Sequence, residues 1–238
     1  MTGMLASVNS LAEARLVLQA GVDIIDLKQP EQGALGALAL ADVRAIVQEV
    51  IGRCPVSATV GDLPMQPELV YNAVKAMADT GVDCVKIGFF PGGDWQSTLD
   101  KLSGLTGLSV SLDDSISSFT AQKTKLIAVL FADTQPDFAI LSALKASGFA
   151  GVMVDTMDKN CGSLTQLMSE QELALFVKQA KALDLLCGLA GSLRLADMDL
   201  LLALQADYLG FRGALCQAHE RVGQLNLSAV IAIKKLIS

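Results

Sequence analysis

The sequence predicts an α/β chain closed into a (β/α)8 TIM barrel. Eight short apolar runs alternate with amphipathic stretches over 238 residues, glycines mark the joints from helix to strand, and charges stand at the ends of alternate runs. The predicted strands are Met4–Val8, Asp23–Lys28, Pro55–Val60, Asp83–Gly88, Lys125–Phe131, Gly151–Asp155, Leu185–Ala190 and Tyr208–Phe211. Helical spacing fits Ser10–Ala20, where Leu11, Ala14, Val17 and Leu18 share a face, and then Ala41–Ile51, Glu68–Thr80 and Phe138–Ser147. It fits Ser169–Leu183, Met198–Gln205 and Ser228–Ile237 as well, while Trp95–Leu112 reads as a fourth helix with irregular chain beyond it. The joints Ala20-Gly21-Val22-Asp23, Thr80-Gly81-Val82-Asp83 and Ser147-Gly148-Phe149-Ala150 each put a glycine where a left-handed residue ends a helix before a buried strand. An open doubly wound sheet is the competing fold. It fits less well, because Val8-Asn9-Ser10 stands where a glycine-rich phosphate turn would follow the first strand. No linker or low-complexity tract divides the chain, so a single domain over residues 1–238 is expected.

Composition narrows the function. The chain is 52% hydrophobic with a mean hydropathy of +0.46, which excludes disorder, yet no apolar run approaches the ~20 residues of a membrane span. A net charge of −7 argues against nucleic acid as a partner. The N-terminus carries no basic stretch leading into an apolar one, so a cytoplasmic location is the expectation. The five cysteines are scattered without a C-x-x-C pair, and His219 is the lone histidine. A multi-histidine zinc site is therefore excluded, no metal site is expected, and His219, beside Glu220 and Arg221, reads as a surface residue. The apolar surplus and the C-terminal Val230–Ile237 helix point to self-association into a homo-oligomer.

In such a barrel the C-terminal strand ends build the active site. The second strand ends Ile24-Ile25-Asp26-Leu27-Lys28, the fourth contains Lys86 between Val85 and Ile87, and the sixth ends in Asp155 with Lys159 in its loop. Alternate strands share an interior layer, so Lys28, Lys86 and Asp155 are expected to converge near the mouth with Asp26 one layer deeper. The plainer reading of each charge is a solvated strand end or a buried ion pair. For four such groups together that reading weakens, since burying each ion costs several kcal/mol unless it is paired, and apolar residues would serve structure better. Two neighbouring lysines suit imine chemistry: a second cation and desolvation lower one amine's pKa until it is a nucleophile, and a carboxylate orients it and moves protons. These residues alone leave open which lysine attacks.

Anions are expected at the last two strand ends. Gly191 and Ser192 follow the seventh strand, and Gly210, Arg212 and Gly213 lie at the eighth. The glycines admit backbone N–H groups, and the arginine offers a forked donor. Asp62, in Gly61-Asp62-Leu63-Pro64, reads equally as a catalytic or a turn residue, and Asp113-Asp114 reads as a cap or turn.

Several stretches resemble one family. Asp26-Leu27-Lys28-Gln29-Pro30 with Gly33-Ala34-Leu35-Gly36, Ser57 to Pro64, Val85-Lys86-Ile87-Gly88, Asp155-Thr156 with Lys159, and Leu189 to Leu193 are similar in order to the (5-formylfuran-3-yl)methyl phosphate synthases of methanofuran biosynthesis. The resemblance implies a barrel lyase that condenses two glyceraldehyde 3-phosphate molecules into 4-(hydroxymethyl)-2-furancarboxaldehyde phosphate, with loss of phosphate and water and no cofactor. It implies Lys28 as the Schiff-base lysine, Lys86 as general acid and base, and Asp26, Asp155 and Lys159 as assisting groups. The chain departs from the archaeal pattern at Phe89-Phe90-Pro91-Gly92-Gly93. The competing expectations are another Schiff-base aldolase or isomerase of small phosphosugars, and a non-catalytic barrel that binds a phosphorylated metabolite.

Overall fold

A computed structural model of the chain describes residues 1–107 and 124–237. Eight parallel strands close in sequence order: β1 (Gly3–Val8), β2 (Ile24–Leu27), β3 (Val56–Thr59), β4 (Cys84–Gly88), β5 (Lys125–Phe131), β6 (Gly151–Asp155), β7 (Leu186–Leu189) and β8 (Tyr208–Phe211). β8 pairs back onto β1 in register Met4 to Leu209, which leaves no sheet edge. Around them run α1 (Leu11–Gln19), α2 (Leu40–Val50), α3 (Pro67–Ala78), α4 (Trp95–Gly107), α5 (Ile140–Ala146), α6 (Leu164–Leu167), α7 (Glu170–Ala182), α8 (Met198–Ala203) and α9 (Leu227–Ile237).

The predicted barrel is present, with element ends shifted by a few residues at most. Gly21, Gly81 and Gly148 take the left-handed conformation at φ 71°, 90° and 82°, as the repeated joint requires. The end of α2 differs: Ile51 itself takes φ 47°, an uncommon conformation for a β-branched residue. The short α6, inserted between β6 and α7, was not legible from periodicity because a single turn carries none. Asp113 and Asp114 lie outside the described residues.

Apolar side chains form two cores. The larger lies between strands and helices, where Val17, Ile46, Val74 and Phe176 are fully enclosed. The smaller fills the barrel's interior with Leu5, Val129, Phe131, Met153 and Tyr208, and Ala34 and Leu35 from the β2–α2 loop close over it. Leu5 and Met153 lie two residues below Ser7 and Asp155 on their strands and form the apolar floor of the site, while Phe131 stands level with Asp155. Gly188 is part of that fit, for a Cβ there would stand 2.3 Å from the Tyr208 ring. Gly188→Ala is expected to overpack the interior and lower unfolding free energy by about 1–3 kcal/mol, measured by urea denaturation.

Candidate active site

Asp26 is fully buried. The register places Ser7 and Ser57 directly beside it on the neighbouring strands, so all three side chains point into the barrel. The Ser7 hydroxyl donates to one carboxylate oxygen at 2.8 Å and the Ser57 hydroxyl to the other at 2.7 Å. Lys86, two residues past the Cys84 that pairs with Ser57, reaches the same carboxylate at 2.7 Å. Asp26 thus lies one step below the lysines, in the expected order.

Lys28 follows β2 by one residue and lies on Asp26's face of the strand. Its amine is 3.5 Å from Asp155 Oδ2. The other oxygen, Oδ1, is taken by Lys159 Nζ at 2.7 Å and by the Thr156 N–H at 2.7 Å. Lys159 also donates to the Thr156 hydroxyl at 3.0 Å and to the Thr156 carbonyl. Two carboxylates therefore serve three amines. Lys86 holds Asp26, Lys159 holds Asp155, and Lys28 has only the far side of an anion already engaged. Burial pushes the Lys28 amine down, Asp155 pulls it partly back, and Lys159 and Lys86 push it down again, leaving it at about 8. For Asp155, burial alone would raise the pKa, but Lys159, Lys28 and the Thr156 amide together hold it well below the usual carboxylate range.

These groups line a cavity of about 690 Å³ over the C-terminal strand ends, within the ~300–1,000 Å³ typical of small-ligand sites. Among the described residues three lysines and three arginines line it: Lys28, Lys86, Lys159, Arg194, Arg212 and Arg221. Asp155 is the one carboxylate among the described lining residues, with Asp26 and Glu13 behind it. The mouth is cationic in a chain whose net charge is −7, and such a field draws anions inward.

On the β7 side, Gly191 at φ 114° and Ser192 at φ 49° turn the chain sharply. A Cβ on Gly191 would meet the Thr156 side chain at 2.8 Å. The N–H groups of Gly191, Ser192 and Leu193 donate to no acceptor among the described residues, a concave arrangement suited to an anion. Gly213 also lines the cavity, after β8. Gly210 lines the cavity from within β8, where a Cβ would meet Ala190, Met153 and Leu5.

Arg212 corrects the sequence expectation more sharply. It is buried, and its five N–H donors are all taken within the protein. Glu13 accepts two, at 2.5 and 3.2 Å, and the carbonyls of Ser7, Arg221 and Gly223 take the rest at 3.2, 2.7 and 2.9 Å. No donor is left for a phosphate; the residue locks β1, α1 and the last loop together. Asp62 braces the β2–α2 loop. It accepts the Ala34 and Leu35 N–H groups at 2.8 and 2.6 Å, and it does not line the cavity. Two further residues at the cavity wall are His219, which the sequence assigns to the surface, and Arg221, which it does not assign to the site. His219 is exposed but stands at the rim, and Arg221 reaches over the mouth to the Gly33 carbonyl at 3.0 Å. Both follow the eighth strand by too many residues for strand-end reasoning to find them. Among the described residues no group of three or more His, Cys, Asp or Glu is placed to hold a metal ion, and no helix is long and apolar enough to cross a membrane.

A closed (β/α)8 barrel with its ionisable groups gathered at the C-terminal strand ends is the arrangement in which enzymes of this fold carry out their chemistry. Residues 4–234 match the family model described as 4-HFC-P synthase, and the chain belongs to that family. A relative from Methylorubrum extorquens is 41% identical over 218 residues, covering 92% of this chain and 84% of its own. The (5-formylfuran-3-yl)methyl phosphate synthase of Methanopyrus kandleri is 34% identical over 214 residues (88% and 87%), and that of Methanocaldococcus jannaschii 29% over 239 residues (98% and 98%). Among solved structures the fold is similar to phosphoribosyl anthranilate isomerase from Thermus thermophilus, with TM-score 0.64, 13% identity and coverage of 100% and 98%. It is also similar to a 3-hexulose-6-phosphate synthase, with TM-score 0.62, 15% identity and full coverage of both chains.

Two measurements check this geometry. Labelling of Lys28 by an amine-directed acylating reagent, followed by mass spectrometry, is expected to titrate with a midpoint near pH 8. Because the folded pKa lies below the unfolded one, protonated Lys28 penalises the native state below about pH 8, and its contribution to stability rises between there and the ordinary lysine value near 10.5. Arg212→Met strands Glu13 in the interior and is expected to cost about 3–5 kcal/mol in denaturant unfolding.

Proposed function

We propose that this protein is a lyase that condenses two glyceraldehyde 3-phosphate molecules into (5-formylfuran-3-yl)methyl phosphate through an imine on Lys28, losing phosphate and water. The observation that carries the reading is the uneven pairing of amines and carboxylates. Lys28 is the amine left without an anion of its own, at about 8, so roughly a tenth of it is already neutral at pH 7.

The neutral Nζ attacks the carbonyl carbon of a triose phosphate, and water leaves as the iminium forms. Asp155 faces that nitrogen at 3.5 Å and stabilises the positive charge, while Lys159 keeps the carboxylate in place at 2.7 Å. The iminium withdraws electrons from the neighbouring carbon, whose proton a base removes before the new carbon–carbon bond forms. Lys86 is the general acid and base for these transfers, and Asp26 with its two serines fixes its position. The Gly191–Leu193 amides receive one substrate phosphate. Family membership and the similarity to the (5-formylfuran-3-yl)methyl phosphate synthases of Methanopyrus kandleri and Methanocaldococcus jannaschii support the choice of product.

Purified protein given glyceraldehyde 3-phosphate alone is expected to develop furan absorbance and release phosphate. Lys28→Ala and Lys28→Arg should fold but lose product by at least ~10³-fold. Borohydride added with substrate should place the trapped mass on Lys28, and kcat/KM should rise with pH and level off above about 8. A product retaining both phosphates would instead make the protein an aldolase, and trapping on Lys86 alone would reverse the two lysines' roles.

A further inference from the structure

A cavity that takes two phosphorylated trioses needs two places for phosphate, and the turn after β7 supplies one. Arg212 does not supply the second, since its donors are spent. It braces the loop after β8 from within, through the carbonyls of Arg221 and Gly223. The same loop is tied at its ends by Gln217 N–H to the Gln224 carbonyl at 3.0 Å and by Asn226 N–H to the Leu215 carbonyl at 2.7 Å.

The side chain presented by this braced loop is Arg221. It is half-buried, lines the cavity, and spends one N–H on the Gly33 carbonyl across the mouth. Gly33 is itself held, because Asp62 fixes the next two amides and leaves no room for a Cβ at that position, 2.0 Å from the carboxylate oxygen. Among the described residues the other four guanidinium N–H groups meet no acceptor, and no carboxylate lies within ion-pair distance. Asp155 and Asp62 act on it only from further off. A guanidinium held at one corner, open along its other edges and facing a cavity of like charge lacks a forked anionic partner.

We infer that Arg221 is the clamp for the phosphate of the second triose, opposite the β7 turn, and that it makes a phosphorylated second partner necessary for condensation. The inference rests on the two-triose reading above. The first triose is captured through the Gly191–Leu193 amides and Lys28, so its capture does not need Arg221. The second has no covalent hold and depends on the guanidinium.

Capture and condensation can be measured separately. With glyceraldehyde 3-phosphate, the substrate concentration giving half-maximal borohydride trapping at Lys28 is compared with the KM for furan formation, in wild type, Arg221→Met and Arg221→Lys. The expected result for Arg221→Met is trapping within about 2-fold of wild type and a furan KM raised by about 30-fold or more, the order lost with a forked charge-assisted contact. Arg221→Lys, which keeps the charge without the fork, should recover part of the loss. A structural role would instead weaken trapping and condensation together. Parallel loss of both, or an unmoved furan KM, overturns the assignment. A wild type that traps nothing at Lys28 overturns the imine reading itself, and this inference with it.

Discussion

Three amines and two carboxylates share one largely buried cluster, and the rest of the site follows from that mismatch. A buried ion is tolerated when it is paired, so Lys86 settles on Asp26 and Lys159 on Asp155 at matching distances of 2.7 Å. Lys28 is the remainder. Its charge is easier to lose than that of an ordinary lysine, because it is buried and each neighbouring ion pair also presents it with a cation. Apolar side chains of Leu5, Val129, Met153 and Tyr208 pack beneath these groups, and an apolar underside screens their charges less than water would.

The support around these groups is unequal in a way that suits chemistry. Asp26 is saturated by two hydroxyls and an ammonium, a rigid anchor deep in the barrel. Asp155 has one oxygen fully committed and the other facing Lys28, the side on which a developing iminium would form. Loops extend the same economy outward. Arg212 spends all its donors on Glu13 and three backbone carbonyls, and the loop it braces frees Arg221 to face the mouth. Asp62 does for the β2–α2 loop what Arg212 does for the last one. Arg212 and Asp62 thus act through the chain segments they hold.

The barrel was legible in the amino-acid order because closure leaves local signatures: a period of two in the strands, 3.6 in the helices, and a left-handed glycine at Gly21, Gly81 and Gly148. Strand-end charges were legible for the same reason. Lys28 and Asp26 share a face by their spacing alone, and no core would accept Lys86 without a partner. What spacing could not reveal was which donors remained available. Arg212 and Arg221 look alike in sequence, and Arg212, close to the strand end, looked the better ligand.

The sequence by itself determined the closed fold, the clustering of Lys28, Lys86, Asp26, Asp155 and Lys159 at one end of it, and membership in a family of synthases. Only the tertiary structure decided the pairing: which amine each carboxylate takes, which arginine is consumed by Glu13 and three carbonyls, and which reaches over the cavity. The physical reason is that strand geometry is set by neighbours along the chain and across one ladder. Hydrogen-bond saturation, by contrast, is settled among groups as far apart in sequence as Glu13 and Arg212, whose contact exists only once the last strand has closed against the first.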